Sequence, residues 1–307
     1  MRNYLFAIVI AAMCLTGCRS SKNVSDSGQK EVWQTMLVKQ LDAQIQDQII
    51  TVNYNDGNTL CYKILDNFGN VTLTWDRTNG RKNFDDGPSS YKGDISIPSF
   101  IITGENGEFV FRVMEIDQNA FYGCTEVTSI NIPFSVLRIV DGAFKDCTGL
   151  KSITVNENNQ TYQDIDGVLY SNDKRMLIKY PAKKELTDYV ISEEVGIICT
   201  EAFKDNTFLK KISVGNFVTA ISDRSFMNCT ALEEVELGGN VRIIGAQSFN
   251  NCPNLSLVNA HGLWPAHCPV AFDDAAKQNA KLYVPKGQLL NYKRRLEWRD
   301  FKNVLEY

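Results

Sequence analysis

Histidine is almost missing from this chain: two of 307 residues, His261 and His267, so any histidine-based catalysis or metal centre must use that pair. No G-x-S-x-G, H-E-x-x-H or G-x-G-x-x-G run occurs, which excludes the nucleophile elbow, the zinc-protease helix and the dinucleotide fingerprint. Asp164-Ile165-Asp166-Gly167 begins like a calcium loop, but its glycine comes two positions early and no bidentate glutamate follows. It reads as a turn. Basic charge is not in excess: 32 Lys and Arg against 36 Asp and Glu give a net charge of −4, a poor fit to nucleic acid or to anionic lipid surfaces. No apolar run is long enough to span a bilayer, which needs about 20 residues. The nine cysteines include no closely spaced pairs among the repeats, as a zinc site would want. No cofactor and no metal are expected.

What is present is a period. Phe121, Phe144, Phe203, Phe226 and Phe249 follow one another at intervals of 23, 59, 23 and 23 residues. Each is preceded five residues earlier by isoleucine: Ile116, Ile139, Ile198, Ile221 and Ile244. Six, nine and eleven residues after each Phe come further apolar positions, as in Leu209, Ile212 and Val214 or Leu232, Val235 and Leu237. A short alternating strand therefore recurs once per unit, the signature of leucine-rich repeat coils. One coil cannot bury its own apolar edge, so the units must stack, with neighbouring strands roughly 4.8 Å apart. The expected fold is a β-rich solenoid with a 23-residue period, and function then belongs to a surface more than to a pocket.

The 59-residue interval is 23 plus 36, which marks an insertion, and the hairpin it carries is placed over residues 156–185 within a solenoid spanning 95–260. It holds Gly167-Val168-Leu169-Tyr170, a polar turn at Ser171 to Lys174, and Met176-Leu177-Ile178-Lys179-Tyr180, an edge β-hairpin. Ile95-Ser96-Ile97-Pro98 would begin the stack and Leu282-Tyr283-Val284-Pro285 would end it. Lys30 to Ile49 places Trp33, Leu37, Leu41, Ile45 and Ile49 four apart, a helical stripe. Ile50 to Asp94, with turns at Asp56-Gly57-Asn58 and Asn79-Gly80, reads as short strands capping the first coil. Residues 31–94 thus form an N-terminal helix and β cap. Residues 261–307 form a C-terminal cap, in which Lys286 to Trp298 has helical spacing.

The N-terminus carries a targeting signal. Arg2 precedes an apolar stretch from Tyr4 to Met13, and Leu15-Thr16-Gly17-Cys18 matches the lipobox of bacterial lipoprotein processing. Residues 1–17 are read as a signal peptide, Cys18 as the lipidated residue, and 18–30 as a polar flexible tether. Two or more acyl chains hold a protein stably on a membrane where one does not.

Cys124, Cys147, Cys229 and Cys252 each fall three residues after a repeat Phe, with Asn206 at the matching place in the inserted unit. Equivalent positions point the same way in a stack, so these read as buried free thiols. One disulfide between rungs such as Cys124 and Cys147 is geometrically conceivable. His261, His267 and Cys268 lie in one stretch of eight residues without a nearby carboxylate, an incomplete metal or catalytic site and the minor alternative to a non-enzymatic reading.

Residues between the apolar strand anchors face outward. Lys210 and Lys211 fall one rung from Glu233 and Glu234, with Glu236 beside them; they form a cross-strand ion ladder or a charge-patterned partner surface. Phe134 and Phe217, just after strands, are candidate exposed contacts, since aromatics recur in interface hot spots.

Ile132-Pro133-Phe134-Ser135-Val136, Ala143-Phe144-Lys145-Asp146-Cys147-Thr148-Gly149-Leu150, Gly167-Val168-Leu169-Tyr170-Ser171 and Leu282-Tyr283-Val284-Pro285 resemble the BspA-type leucine-rich repeat proteins, as does the ending around Tyr292, Trp298 and Phe301. The likeness runs over roughly residues 50 to 307. It implies a bacterial surface lipoprotein of the Bacteroidetes kind, associated with adhesion to host extracellular proteins and to other cells, and it supplies no catalytic residue. The expected function is a non-enzymatic cell-envelope lipoprotein, anchored to the outer membrane, that binds protein or glycan ligands of host or neighbouring cells. Outer-face members often carry an acidic run after the lipid cysteine, whereas Cys18 is followed by Arg19-Ser20-Ser21-Lys22. The outer face and a periplasm-facing scaffold both stay open.

Overall fold

The computed structural model describes residues 40–46, 49–75, 87–103 and 109–307. The lipobox, Cys18, the tether and the turn at Asn79-Gly80 lie outside the described residues. The chain forms two compact units, residues 1–147 with 156–160, and residues 148–155 with 161–307.

In the first unit, β1 (Gln40–Gln46), β2 (Ile49–Tyr54), β3 (Thr59–Ile64) and β4 (Asn70–Thr74) form an antiparallel meander. Two further strands are β5 (Gly93–Ser96) and β6 (Phe100–Thr103), and β7 (Phe109–Ile116) pairs parallel with β4 and antiparallel with β6. Stacking then begins: β8 (Val127–Ile132) lies parallel to β5, with Ile95 opposite Ile130, and β9 (Arg138–Ile139) lies parallel to the end of β7. The helix expected over Lys30–Ile49 is not found where the structure describes it, since Gln40–Gln46 is a strand. The reason lies in the spacing: residues four apart share a face in a helix and in a strand alike. Ala43 completes a strict alternation of Leu41, Ala43 and Ile45 with Gln40, Asp42, Gln44 and Gln46, which selects the strand.

The second unit contains β10 (Ser152–Val155) and then β11 (Tyr162–Ile165), β12 (Val168–Ser171) and β13 (Met176–Lys179) as an antiparallel meander. Ile165 pairs with Val168 across Asp166 (φ 51°) and Gly167 (φ 76°), both left-handed, as a two-residue primed hairpin turn requires. The Asp-Gly pair is therefore a turn. The insertion is more than an edge hairpin, because β13 becomes the first rung of a parallel ladder with the two-residue strands β15 (Ile197–Ile198), β17 (Ala220–Ile221) and β19 (Ile243–Ile244). The opposite side of each coil is a longer strand. β14 (Asp188–Val190), β16 (Lys211–Val214), β18 (Glu234–Leu237), β20 (Leu257–Ala260), β21 (Lys281–Val284) and β22 (Asn303–Glu306) run parallel throughout.

Two helices interrupt the last coils, α1 (Asp274–Asn279) and α2 (Leu289–Arg294). The helix expected over Lys286–Trp298 is only α2, and β22, not β21, is the last strand of the stack. Tyr292 is the buried residue of α2, and Trp298 and Phe301 pack against each other beyond it, so the aromatic core takes over where helical spacing continued.

Between the two sheets runs a column of aromatic rings. Tyr180, Phe203, Phe226, Phe249 and Phe272 stack with centroids 4.7, 4.7, 5.1 and 4.9 Å apart, and Phe301 closes the column edge-on to Phe272 at 5.2 Å. The ring spacing is the rung spacing. Tyr180 and Phe272 extend the sequence period at both ends, each 23 residues from its neighbour. The first unit has the same feature, with Phe121 stacked on Phe144 at 5.7 Å.

The corners repeat as faithfully as the core. Two residues before each of these Phe side chains the backbone is left-handed at Glu201, Arg224, Gln247 and Val270, and two residues after at Asp205, Asn228 and Asn251. Asn and Asp tolerate that conformation and so suit the second corner. There they also bond from rung to rung: Asn228 Nδ2 donates to Asp205 Oδ1 at 2.6 Å and Asn251 Nδ2 to Asn228 Oδ1 at 3.0 Å. One residue further on, Cys229 and Cys252 are buried free thiols, and each donates to the carbonyl of the Phe one rung back, at 3.2 Å.

Candidate partner-binding face

Cross-strand register in the second unit builds two outward rows on the long-strand sheet. One is Asp188, Lys211, Glu234, Leu257, Lys281 and Asn303; the other is Val190, Ser213, Glu236, Asn259, Tyr283 and Leu305. Between the rows, Ile212, Val235, Val258 and Leu282 point inward and are fully buried. Alternation thus leaves a core on one face and a polar surface on the other.

The expected ladder of charge is present. Lys210 pairs with Glu233 at 3.0 Å, and Lys211 pairs with both Glu234 at 2.9 Å and Glu236 at 3.1 Å. Hydrogen bonds to Glu234 and then Glu236 raise the Lys211 pKa, so its charge is secure at neutral pH. These pairs are half-exposed or exposed, and such pairs contribute about 0.2–1 kcal/mol each. Three carboxylates share two ammonium groups, so this patch keeps a net negative charge and spare acceptors toward solvent.

Phe217 lies in the turn that follows β16 and is 62% exposed. Its equivalents in the next two coils are Asn240 and the exposed Leu263, with Trp264 exposed beside it. Phe134, in the first unit, is only half-buried, with its ring edge-on to Phe100 at 6.2 Å, so part of its surface is used at home.

The histidines do not converge. His261 Nδ1 bonds to the Tyr307 hydroxyl at 2.8 Å, and His267 Nδ1 lies 3.0 Å from Glu297. Cys268 is buried, which pushes its thiol pKa up and disfavours the thiolate a ligand or nucleophile needs. The bridge between Ile243 and His267 puts Cys268 in register with buried Ile244, so it fills a core slot. Among the described residues no group of three or more His, Cys, Asp or Glu side chains is placed to hold a metal ion.

Sequence spacing missed part of the surface. Tyr283 and Leu305 join the outward row although β20 to β21 is offset by 24 residues and β21 to β22 by 22, which a strict 23-residue count passes over, and Val190 joins it at the other end opposite Ser213. It also missed the outer side of the short-strand sheet, where Met176, Ile197 and Ile243 are exposed. The signal for these was the residue preceding buried Leu177, Ile198 and Ile244.

Repeated parallel rungs, one long and one short strand per coil and a continuous internal aromatic column define a leucine-rich repeat β-solenoid. Residues 106–171 and 180–263 match the BspA type leucine-rich repeat region, in six copies. The repeat region of this chain belongs to the BspA-type leucine-rich repeat family. A leucine-rich repeat protein from Eubacterium ventriosum is similar in fold, with a TM-score of 0.54 and 22% identity over 80% of this chain and 78% of the other. A leucine rich cell surface protein from Faecalibacterium prausnitzii aligns at a TM-score of 0.37 and 14% identity, over 88% of this chain and 96% of the other. A leucine-rich repeat protein from Bacteroides ovatus aligns at 0.35 and 17% identity, over 81% and 75%. No curated protein matches the chain by sequence.

Proposed function

We propose that this protein is a non-enzymatic lipoprotein of the bacterial cell envelope, held to the outer membrane through Cys18, that binds a protein or glycan partner of a host or neighbouring cell. The outward face of the long-strand sheet carries the partner. The observation behind this reading is the charge pattern on consecutive rungs, Lys210 and Lys211 against Glu233, Glu234 and Glu236, together with the exposed Phe217. Folding needs little from these exposed groups, whereas charges at a rim set association and its salt dependence.

The test reverses charge on Lys210→Glu, Lys211→Glu and measures binding and melting on the same protein at two salt concentrations, with a partner recovered by the mature ectodomain. Weaker binding with altered salt dependence and a nearly unchanged melt is the expected result. Unchanged affinity at both salts removes this face and moves attention to Phe134, Phe217 and the Tyr170–Tyr180 hairpin. For the anchor, Cys18→Ser should abolish partition with membranes into detergent, and equal retention would sink it.

A second reading, a periplasm-facing scaffold, draws on Arg19-Ser20-Ser21-Lys22 in place of an acidic run. Protease shaving of intact cells separates the two, since only an outward-facing ectodomain is cut.

A further inference from the structure

The C-terminal cap exposes more apolar surface and unpaired positive charge than closing a solenoid requires. Lys286, Lys293, Arg294 and Arg295 are exposed, and among the described residues none has a carboxylate oxygen within 4.0 Å. The acids of the same segment are engaged elsewhere: Glu306 places Oε1 on the backbone N–H groups of Gly287 and Leu289 at 3.0 Å each, Glu297 lies 3.0 Å from His267, and Asp300 3.6 Å from Arg299. Leu290 is 65% exposed and Leu296 63%. Leu290 and Arg294 are four apart on α2 and share its outer side, opposite buried Tyr292.

A second segment is pinned beside this one. The Tyr292 hydroxyl donates to Gly262 O at 2.8 Å and Trp298 Nε1 to Ala266 O at 2.7 Å. Between those anchors Leu263 and Trp264 are exposed.

Attraction to the helix C-terminus accounts for Lys293 and Arg294, which lie in its last turn, but not for Lys286 or for the exposed leucines. The charge of the chain is also unevenly spread. Residues 281–307 hold seven Lys or Arg against three Asp or Glu, a net of +4 in a chain of −4, so whole-chain charge is a poor guide to this end.

We propose that the cap docks on an anionic lipid bilayer, with Trp264, Leu290 and Leu296 entering the headgroup boundary and Lys286, Lys293, Arg294 and Arg295 meeting the phosphates. Trp and Leu beside Lys and Arg are the side chains an interface binds, since an amphipathic ring and aliphatic tips enter the boundary while cations stay among the headgroups. A sulfated glycan would meet the cations but leave Leu290 and Leu296 in water, and an acidic nucleic acid would do the same. The inference needs neither the partner face nor the anchor at Cys18.

The experiment uses the full chain with Cys18→Ser, so that no acyl chain contributes, and measures co-sedimentation with phosphatidylglycerol vesicles and with phosphatidylcholine vesicles. Binding to the first and little to the second is expected. Each basic residue near such a surface is worth about fivefold, so Lys293→Glu, Arg294→Glu, Arg295→Glu should lose well over about tenfold in partition. Leu290→Asn, Leu296→Asn should also weaken it, and Trp264→Phe should remove the blue shift in emission that vesicles induce. Melting curves of each variant establish that it is folded. No binding to anionic vesicles, equal binding by the charge-reversed variant, or retention on heparin without vesicle binding would each overturn the proposal.

Discussion

Phe226 and Phe249 lie face to face with ring centroids 5.1 Å apart and planes 3° from parallel. Identical side chains 23 residues apart can do this only if each coil repeats the backbone of the last, so ring geometry reports the fidelity of the whole corner. The left-handed residues on either side of each Phe keep that fidelity: Arg224 and Asn228 around Phe226, Gln247 and Asn251 around Phe249.

Phe203 sits between Tyr180 and Phe226 at 4.7 Å from each and is fully buried. Phe203→Ala should destabilise the protein by about 3–5 kcal/mol, through lost burial and the cavity left behind. Denaturant melts measure it, and a loss under about 1 kcal/mol would mean that the ring is not in the stack.

Tyr180 occupies the slot that Phe fills in the following coils, and its buried hydroxyl has no hydrogen-bond partner among the described residues. Burial raises its pKa, so the group stays neutral and unsatisfied. Tyr180→Phe should leave stability unchanged or raise it by about 1 kcal/mol. A clear loss would mean that the hydroxyl is satisfied.

Asn206 replaces the repeat cysteine because its corner has more backbone to satisfy. Its Nδ2 donates to Pro181 O, Ala182 O and Lys184 O at 3.2–3.3 Å, and its Oδ1 accepts from Phe208 N and Leu209 N at 3.0 and 2.8 Å. Restoring the repeat residue with Asn206→Cys should therefore destabilise by about 1–3 kcal/mol, since buried groups lose partners. An unchanged melt would show that a thiol suffices there.

Val270 holds a φ of 54° at a position 70% exposed. A β-branched residue is strained in the left-handed region, which asparagine tolerates. Val270→Asn should raise stability by about 1 kcal/mol in the same melts, and a loss would place the strain elsewhere.

Burial pushes the Cys252 thiol up to about 12. An unfolded cysteine ionises near pH 8.5, so between these values the folded state holds a proton that the unfolded state has released, and stability falls as pH rises through that window. Below pH 8 this contribution is fully present. Alkylation of the folded protein at pH 9 should be far slower than in denaturant, because only the thiolate reacts. Labelling at the denatured rate would mean that the thiol is open to solvent.

The repeat was legible wherever burial dictated residue type at fixed offsets: the isoleucine five before each Phe, the apolar strand positions after it, and the ladder of small thiols. Those positions see the same environment once per coil, and a periodic environment leaves a periodic text. The end rungs were less legible, because Tyr180 in place of Phe, His267 in place of the isoleucine five before Phe272, and the offsets of 24 and 22 residues keep the packing while breaking the letter pattern. Leu41, Ile45 and Ile49 suggested a helix since a spacing of four serves both periods. That Lys210 and Lys211 face glutamates one rung on was legible in the spacing, whereas that Lys211 reaches two of them, and that His261 and His267 take separate partners, were decided by the tertiary structure alone. Burial repeats along the chain and can be read from it, whereas surface neighbours meet across rungs through register, which residue types at solvent-facing positions do not constrain.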